Sequence, residues 1–174
     1  MSSDNLSTLR KCGPGDEWAL ALVGAATFLQ SFAGVLDGAD ILAHCRHQHA
    51  PEKYLAWLSS PQIHICVAEL NEAPVGYVML CPPDLPVATS TEDIEIKRIY
   101  LLHRFQGRGV GKVLMDWAVE QANVLQKKRI LLGVNAQNHE ALAFYTRSGF
   151  KTIGTRQFLI GSKLNDDLIL ARDL

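Results

Sequence analysis

The chain has no surplus of either charge: its 174 residues set 17 Lys and Arg against 18 Asp and Glu, a formal net charge of -1. A chain so balanced raises no global positive field to hold a polyanion, which argues against nucleic acid as a partner. It also lacks paired cysteines. Cys12, Cys45, Cys66 and Cys81 stand far apart with no C-x-x-C spacing, and three of them lie in apolar stretches. They read as reduced thiols of a cytoplasmic protein, not as a disulfide framework. No uninterrupted run of about 18 apolar residues occurs, and Met1-Ser-Ser-Asp-Asn is not a basic region followed by an apolar run. The expectation is a soluble chain, neither secreted nor associated with a membrane.

What is present suits one α/β domain spanning residues 1–174, long enough to bury its own core. Trp18, Leu22, Ala25, Ala26, Leu29 and Phe32 recur at helical spacing after Asp16, a ready cap, and the helix ends near Gly34. A second helical stretch follows from about Ala39, and Pro51 suits the first turn of a short helix through Trp57. Ile63, Ile65 and Val67 alternate with their neighbours, Asn71-Glu72-Ala73-Pro74 breaks the run, and Val75 to Leu80 resumes it as a β-hairpin. Three prolines between Pro82 and Pro86 keep the stretch up to Asp93 irregular, a loop placed to overhang a site. Then come a strand from Asp93 to Leu102, a helix bearing Val113, Leu114, Trp117, Ala118 and Ala122, a strand from Arg129 to Val134, a helix capped by Asn138, and extended segments to Leu168-Ile-Leu-Ala.

Between the Leu102 strand and its helix lies Gln106-Gly107-Arg108-Gly109-Val110-Gly111-Lys112. A helix N-terminus carries unpaired N–H groups and a partial positive charge, so glycines there let backbone wrap a phosphate closely. The Rossmann pattern fails because Lys112 stands at its final glycine. The P-loop pattern fails because Gln106 replaces its first glycine and Val113 its Ser/Thr.

Gln106, Gly109 and Gly111 fill the Q/R-x-x-G-x-G/A signature of the GNAT superfamily of acyl-CoA N-acyltransferases, which the chain resembles. Asn138-His-Glu-Ala-Leu-Ala-Phe-Tyr145-Thr-Arg-Ser-Gly149-Phe150 resembles the second signature of that superfamily. Within it, Glu95-Ile-Lys97-Arg98-Ile-Tyr100, Leu132-Gly133-Val134, Phe158-Leu-Ile-Gly161 and Asp167-Leu-Ile resemble bacterial spermidine/spermine N-acetyltransferases linked to sporulation control, although Asn135 stands where those carry Trp. The resemblance implies a mixed, mostly antiparallel sheet with a splayed central parallel strand pair, flanked by helices. It implies acetyl-CoA as co-substrate, no metal, and an amine acceptor on a small molecule or a protein. A homodimer accords with it, since dimers are frequent among similar proteins.

Site roles follow from the same resemblance. Ile99, Tyr100 and Leu101 would pair with the pantetheine amides, a backbone N–H near Leu101 would stabilise the oxyanion, and residues 106–112 would hold the diphosphate. An alkyl ammonium, with a pKa near 10.4, must lose a proton before it attacks. Glu95 is the candidate base, on the same strand face as Ile99 and Leu101 by alternation; the other reading is an exposed glutamate paired with Lys97 or Arg98. Tyr145 matches the phenol that protonates the departing thiolate, and also reads as a core aromatic beside Phe144. Asn138 reads as both cap and coenzyme contact. Arg108, Lys112 and Arg147 read as phosphate ligands or as surface cations.

Asp84, Glu92 and Asp93, with Glu95, either attract a cationic amine or form a solvated rim. His44, Cys45, His47 and His49 invite a zinc reading, but no second ligand cluster accompanies them, and exposed histidines near a helix end account for them as well. Two classes of function stand: an N-acetyltransferase, toxin-type and protein-directed forms included, and a catalytically silent acyl-CoA-binding sensor or interaction domain.

Overall fold

A computed structural model describes residues 8–160 and 163–174; the Met1 to Asn5 opening and Gly161 lie outside the described residues. In chain order the elements are β1 (Thr8–Lys11), α1 (Glu17–Phe32), α2 (Gly38–Gln48), α3 (Pro51–Leu58), β2 (His64–Leu70), β3 (Ala73–Cys81), β4 (Asp93–Leu101), α4 (Val110–Val124), β5 (Arg129–Asn135), α5 (His139–Arg147), β6 (Lys151–Ile160) and β7 (Lys163–Asp173). A short 3-10 turn, His103–Phe105, follows β4. The strands form one seven-stranded sheet in the order β1-β2-β3-β4-β5-β7-β6. Every neighbouring pair is antiparallel except β4 and β5, which run parallel. This is the mixed, helix-flanked sheet that the resemblance implies.

Each face of the sheet has its own cover. On one, α4 and α5 bury Leu114, Met115, Ala118 and Tyr145 against Val78, Leu80, Ile94, Ile96, Ile130 and Leu132. Burial of each such aliphatic side chain contributes about 1.5–3 kcal/mol, which fixes α4 over the centre of the sheet. On the other face, α1 and α3 pack Leu20, Val23 and Tyr54 onto Ile65, Val67, Tyr77 and Met79. Beyond them the loop after β3 folds back, and its Leu85 is buried on Leu131 and Ile169.

Three local expectations change. The buried face of α1 is Leu20, Ala21, Val23, Gly24, Thr27 and Phe28, while Trp18, Leu22 and Leu29 are 72%, 67% and 52% exposed. The helix is apolar on two sides, and tertiary contact chooses between them. Asp16 does not cap α1 with its side chain; the carboxylate accepts from both terminal nitrogens of Arg10 and from the Gly13 amide. The hairpin turn is only Asn71-Glu72, both at positive φ, so Ala73 and Pro74 belong to β3. Strand β1, too short for periodicity, is held on β2 partly by Arg10, whose guanidinium also pairs with Glu69.

Gly24 decides how closely α1 approaches its neighbours, because a Cβ there would run into the Tyr54 hydroxyl and His49 Nδ1. Gly24→Ala should destabilise the fold by about 1–3 kcal/mol through overpacking, as read from urea unfolding midpoints at pH 7. An unchanged midpoint would mean that α1 is free to shift.

Candidate active site

The parallel pair is short. Strands β4 and β5 are in register only at Asp93↔Arg129, Ile94↔Ile130 and Glu95↔Leu131. Past Glu95, β4 runs on to Leu101 against β3, and β5 runs on to Asn135 against β7, so an open wedge separates them. Hydrogen-bonded and non-bonded residue pairs alternate along an antiparallel ladder. Leu102 N donates to Val75 O at 2.9 Å, which makes Tyr100↔Tyr77 a bonded pair and turns the N–H and C=O of Ile99 and Leu101 away from β3, into the wedge. On the facing wall Ala136 N donates to Asp166 O at 2.9 Å, and the same alternation aims the backbone of Gly133 and Asn135 at β4. Tyr100 differs from its neighbours: its backbone belongs to the β3 ladder and its ring packs edge-on to Tyr77, centroids 5.6 Å apart. Gly133 and Asn135 enter the site only through cross-strand pairing, which no local pattern displays.

The glycine turn closes the end of the wedge. Gly107 and Gly109 have φ of 70° and 84°, angles that cost an L-residue about 1–2 kcal/mol. Gly109 is the N-cap of α4 and supplies no side chain to occupy the first amides. Among the described residues no backbone N–H from Gly107 to Lys112 donates to a protein group, and the first return bond is Val113 N to Gly109 O at 3.1 Å. A run of unpartnered amides at the positive end of a 15-residue helix has the donor set that a diphosphate requires. Val110 is buried beneath the turn, so its side chain anchors the turn while its amide stays on the outside. Gln106 swings its side-chain amide onto Leu101 O, at 3.2 Å, and ties the turn to the wedge.

The cations near this end divide. Lys112 pairs with Asp116 one turn along α4, at 2.5 Å. Arg108 and Arg147 are exposed and make no ion pair among the described residues. Asn138 caps α5, its Oδ1 accepting from Ala141 N at 3.1 Å.

The position of Glu95 corrects simple alternation. Met79 stands opposite Arg98 but Leu80 opposite Ile96, so Lys97 is an extra residue, a β-bulge. The bulge reverses parity. Ile94 and Ile96 share the α4 face with Ile99 and Leu101, and Glu95 lies on the opposite face, level with Leu131 and beneath the loop that carries Leu85. Nor is Glu95 exposed: at 2% accessibility its Oε2 accepts from Asp84 N at 2.7 Å, and its Oε1 is 3.4 Å from Lys97 Nζ. Tyr145 sits on the α4 face, against Phe144 and Phe150, and its hydroxyl has no hydrogen-bond partner among the described residues. Burial raises its pKa, so it is protonated at neutral pH. The two candidate proton-transfer groups thus flank the strand pair from opposite sides.

Of the acidic residues offered for an amine, Asp84 is exposed and lies 3.7 Å from Lys97 Nζ, and Glu92 is exposed. Asp93 is buried and fully engaged. Arg129 Nε donates to its Oδ1 at 2.9 Å, Arg129 Nη2 to its Oδ2 at 2.8 Å, and Ser90 N to Oδ2 at 2.7 Å. It clamps the closed end of the parallel pair, with both oxygens engaged by protein donors. Of the histidines, His47 is exposed as expected, while His44 and His49 differ from an exposed helix end. His44 stacks on Phe28 at 4.0 Å, and buried His49 meets the Tyr54 hydroxyl at 2.9 Å through Nδ1. Burial first, then the Arg98 charge, pushes their pKa values down to about 4 and about 3. Among the described residues no group of three or more His, Cys, Asp or Glu gathers as a metal site would, and no helix is long and apolar enough to cross a membrane.

Comparison with known proteins follows the same lines. The profile of the acetyltransferase (GNAT) family matches residues 35–150. An uncharacterized N-acetyltransferase of Mycobacterium bovis is 30% identical over 155 residues, 89% of this chain and 96% of that one. Among solved structures, the PaiA N-acetyltransferase of Thermoplasma acidophilum in complex with coenzyme A superposes with a TM-score of 0.81 at 23% identity, over 100% of both chains. A putative acetyltransferase of Salmonella typhimurium with acetyl-CoA reaches 0.75 at 18% identity, over 97% of this chain and 94% of that one.

The Asp93 clamp has a defined pH signature. Arg129, and then the Ser90 amide, hold the Asp93 carboxyl below its usual range. Its stabilisation is therefore complete above about pH 4, where the unfolded carboxyl is ionised, and fades only as pH falls through the lower folded value. Arg129→Met should cost about 2–3 kcal/mol at pH 7 by urea unfolding, and the gap from wild type should narrow as pH falls below about 4.

Proposed function

The chain belongs to the acetyltransferase (GNAT) family, and from that membership we infer an acetyl-CoA-dependent N-acetyltransferase in which an amine attacks the thioester directly. The observation that carries the reading is the set of unpartnered amides from Gly107 to Lys112, at the mouth of a wedge whose walls offer the backbone of Ile99, Leu101, Gly133 and Asn135. Coenzyme A phosphates match the first group, and an extended pantetheine, with its two amides, matches the second as an added strand would. Bound acetyl-CoA supplies an activated acetyl group. Everything else is done by this chain.

The Leu101 N–H, facing the wedge, donates to the thioester carbonyl oxygen as negative charge develops there. Glu95 takes the proton that the acceptor ammonium must lose. The amine nitrogen then bonds to the acetyl carbon, the carbon–sulfur bond breaks, Tyr145, protonated at neutral pH, gives a proton to the sulfur, and the second proton lost by the nitrogen as the amide forms restores the phenol through solvent. Arg108 and Arg147, both exposed near the turn, are the cations we assign to the outer phosphates. Lys112 is engaged by Asp116, and Asn138 joins its capping role to a coenzyme contact. A silent acyl-CoA sensor is the weaker reading, because it gives no reason for a buried carboxylate and a buried phenol without a hydrogen-bond partner among the described residues on either side of one wedge.

The acceptor is a primary amine. A cationic, polyamine-like acceptor would draw on Asp84, Glu92 and Asp93, of which Asp93 is held in the Arg129 clamp.

Thiol release from acetyl-CoA with a panel of amines tests the activity, and calorimetry with coenzyme A tests the binding step separately. Tyr145→Phe should lower kcat at least about tenfold while coenzyme affinity stays within about twofold. Gly109→Ala should weaken coenzyme binding roughly tenfold, since strain at positive φ distorts the amide cradle. Coenzyme affinity indifferent to Gly109 would reject the turn as the phosphate site.

A further inference from the structure

Glu95 already has a cation. Lys97 Nζ lies 3.4 Å from its Oε1, so an acceptor ammonium that hands its proton to Glu95 must take the place that Lys97 occupies in the free protein. The displaced lysine then needs a new anion, and the surroundings supply few. Asp84, 3.7 Å from Lys97 Nζ, has a side chain 92% exposed to water, which screens the pair.

The neighbouring charges are cations. Arg98, next in sequence, is buried with its guanidinium donating to Gln48 O at 3.1 Å and to the Tyr54 hydroxyl at 2.9 Å. It lies 4.7 Å from the Trp57 ring centroid and has no carboxylate partner among the described residues. Lys53 donates to Gln48 Oε1 at 2.7 Å and lies 5.3 Å from the same Trp57 ring. The crowding has an electrostatic trace: after burial itself, Arg98 and then Lys97 lower the pKa of Lys53. Lys53 and Arg98, both over the Trp57 ring, thus put further positive charge near Lys97, and among the described residues Asp84 is the one carboxylate besides Glu95 in ion-pair contact with Lys97. A polycationic amine entering this region meets like charge. An amine that brings its own anion meets a charge pair of complementary order.

Resting on the assignment of Glu95 as the base, we propose that the acceptor is a small zwitterionic amine, carrying a carboxylate or phosphate close to its primary amine, and that Lys97 selects it. The acceptor ammonium takes the Lys97 position at Glu95, and the freed Lys97 ammonium binds the acceptor anion. The resulting order is Lys97 cation, acceptor anion, acceptor ammonium, Glu95 carboxylate. Residues two apart share a strand face, which places Lys97 beside Glu95, and the bulge at Lys97 sets Glu95 on the face opposite Ile99 and Leu101. After the proton moves to Glu95, acetyl transfer proceeds as above, and the product keeps only its anion. Loss of its positive charge removes its hold on Glu95 and favours return of Lys97.

The test compares α-amino acids with the matching amino acid amides, which keep the α-amine and lose the carboxylate, and adds phosphoethanolamine and spermidine. Thiol release with wild-type enzyme should give kcat/KM for at least one acid or phosphate about tenfold or more above its uncharged counterpart, amino acid amide or ethanolamine, and above spermidine. Lys97→Gln should erase that preference by raising KM for the anionic acceptors with kcat nearly unchanged, and Lys97→Arg should retain it. Calorimetric titration of acid and amide into the free protein should give the same order without turnover. A carboxylate preference and a phosphate preference separate in the two anionic arms. Equal use of acid and amide, preference for spermidine, or a preference untouched by Lys97→Gln overturns the proposal while acetyl transfer stands. Absence of both coenzyme binding and thiol release in every arm overturns the acetyl-transfer reading and the proposal with it.

Discussion

The site depends on where one ladder of hydrogen bonds ends. Strands β4 and β5 are held side by side at Asp93, Ile94 and Glu95, and then each follows its outer neighbour. Had pairing continued, the wedge-facing amides and carbonyls of Ile99, Leu101, Gly133 and Asn135 would satisfy one another, and a sheet interior would stand where a ligand can lie. Unpaired backbone polar groups are costly unless water or a ligand reaches them. The wedge thus offers donors and acceptors in extended geometry between β4 and β5. The Asp93–Arg129 clamp secures the closed end, and the glycine turn secures the open end through Gln106 and Leu101.

A single inserted residue then decides which chemistry faces which side. Without the bulge at Lys97, Glu95 would share a face with Ile99 and Leu101 under α4, the face on which Tyr145 lies. With it, Glu95 is carried to the opposite face, under the loop that covers β5 and β7. Glu95 and Tyr145, the two candidate proton-transfer groups, are separated by the thickness of the strand pair. That separation suits a reaction in which the nucleophile approaches from one side and the leaving group departs on the other.

The helical first third is joined to this chemistry by Arg98. Its guanidinium reaches the Gln48 carbonyl at the end of α2, the Tyr54 hydroxyl on α3 and, at 3.5 Å, the Tyr77 hydroxyl on β3. Tyr54 and Tyr77 bond to each other at 2.7 Å, and His49 completes the group. A buried cation held by neutral groups alone is unusual, since desolvation is strongly opposed. The rings of Trp57 and Tyr54 offset part of that cost. The residue after the bulge therefore ties the α2–α3 corner to β4.

Much of this was legible in the chain itself. The glycines of the turn, the apolar strand before it and the amphipathic helix after it announce a helix N-terminus built for an anion, because positive φ and an uncapped first turn are local demands met by local residues. The alternation of Ile65 and Val67, the prolines from Pro82 to Pro86 and the cap at Asn138 are likewise local, and the strands, loop and helix stand at those places. Other features belong to the assembled molecule alone. Which side of α1 is buried, that Asp93 serves Arg129, that Lys97 bulges and turns Glu95 to the other face, and that Gly133 and Asn135 look into the wedge all depend on partners distant in sequence. Periodicity reports how a segment would lie against a flat neighbour; register, parity and the end of a ladder are set only when a second strand or helix is there to meet it.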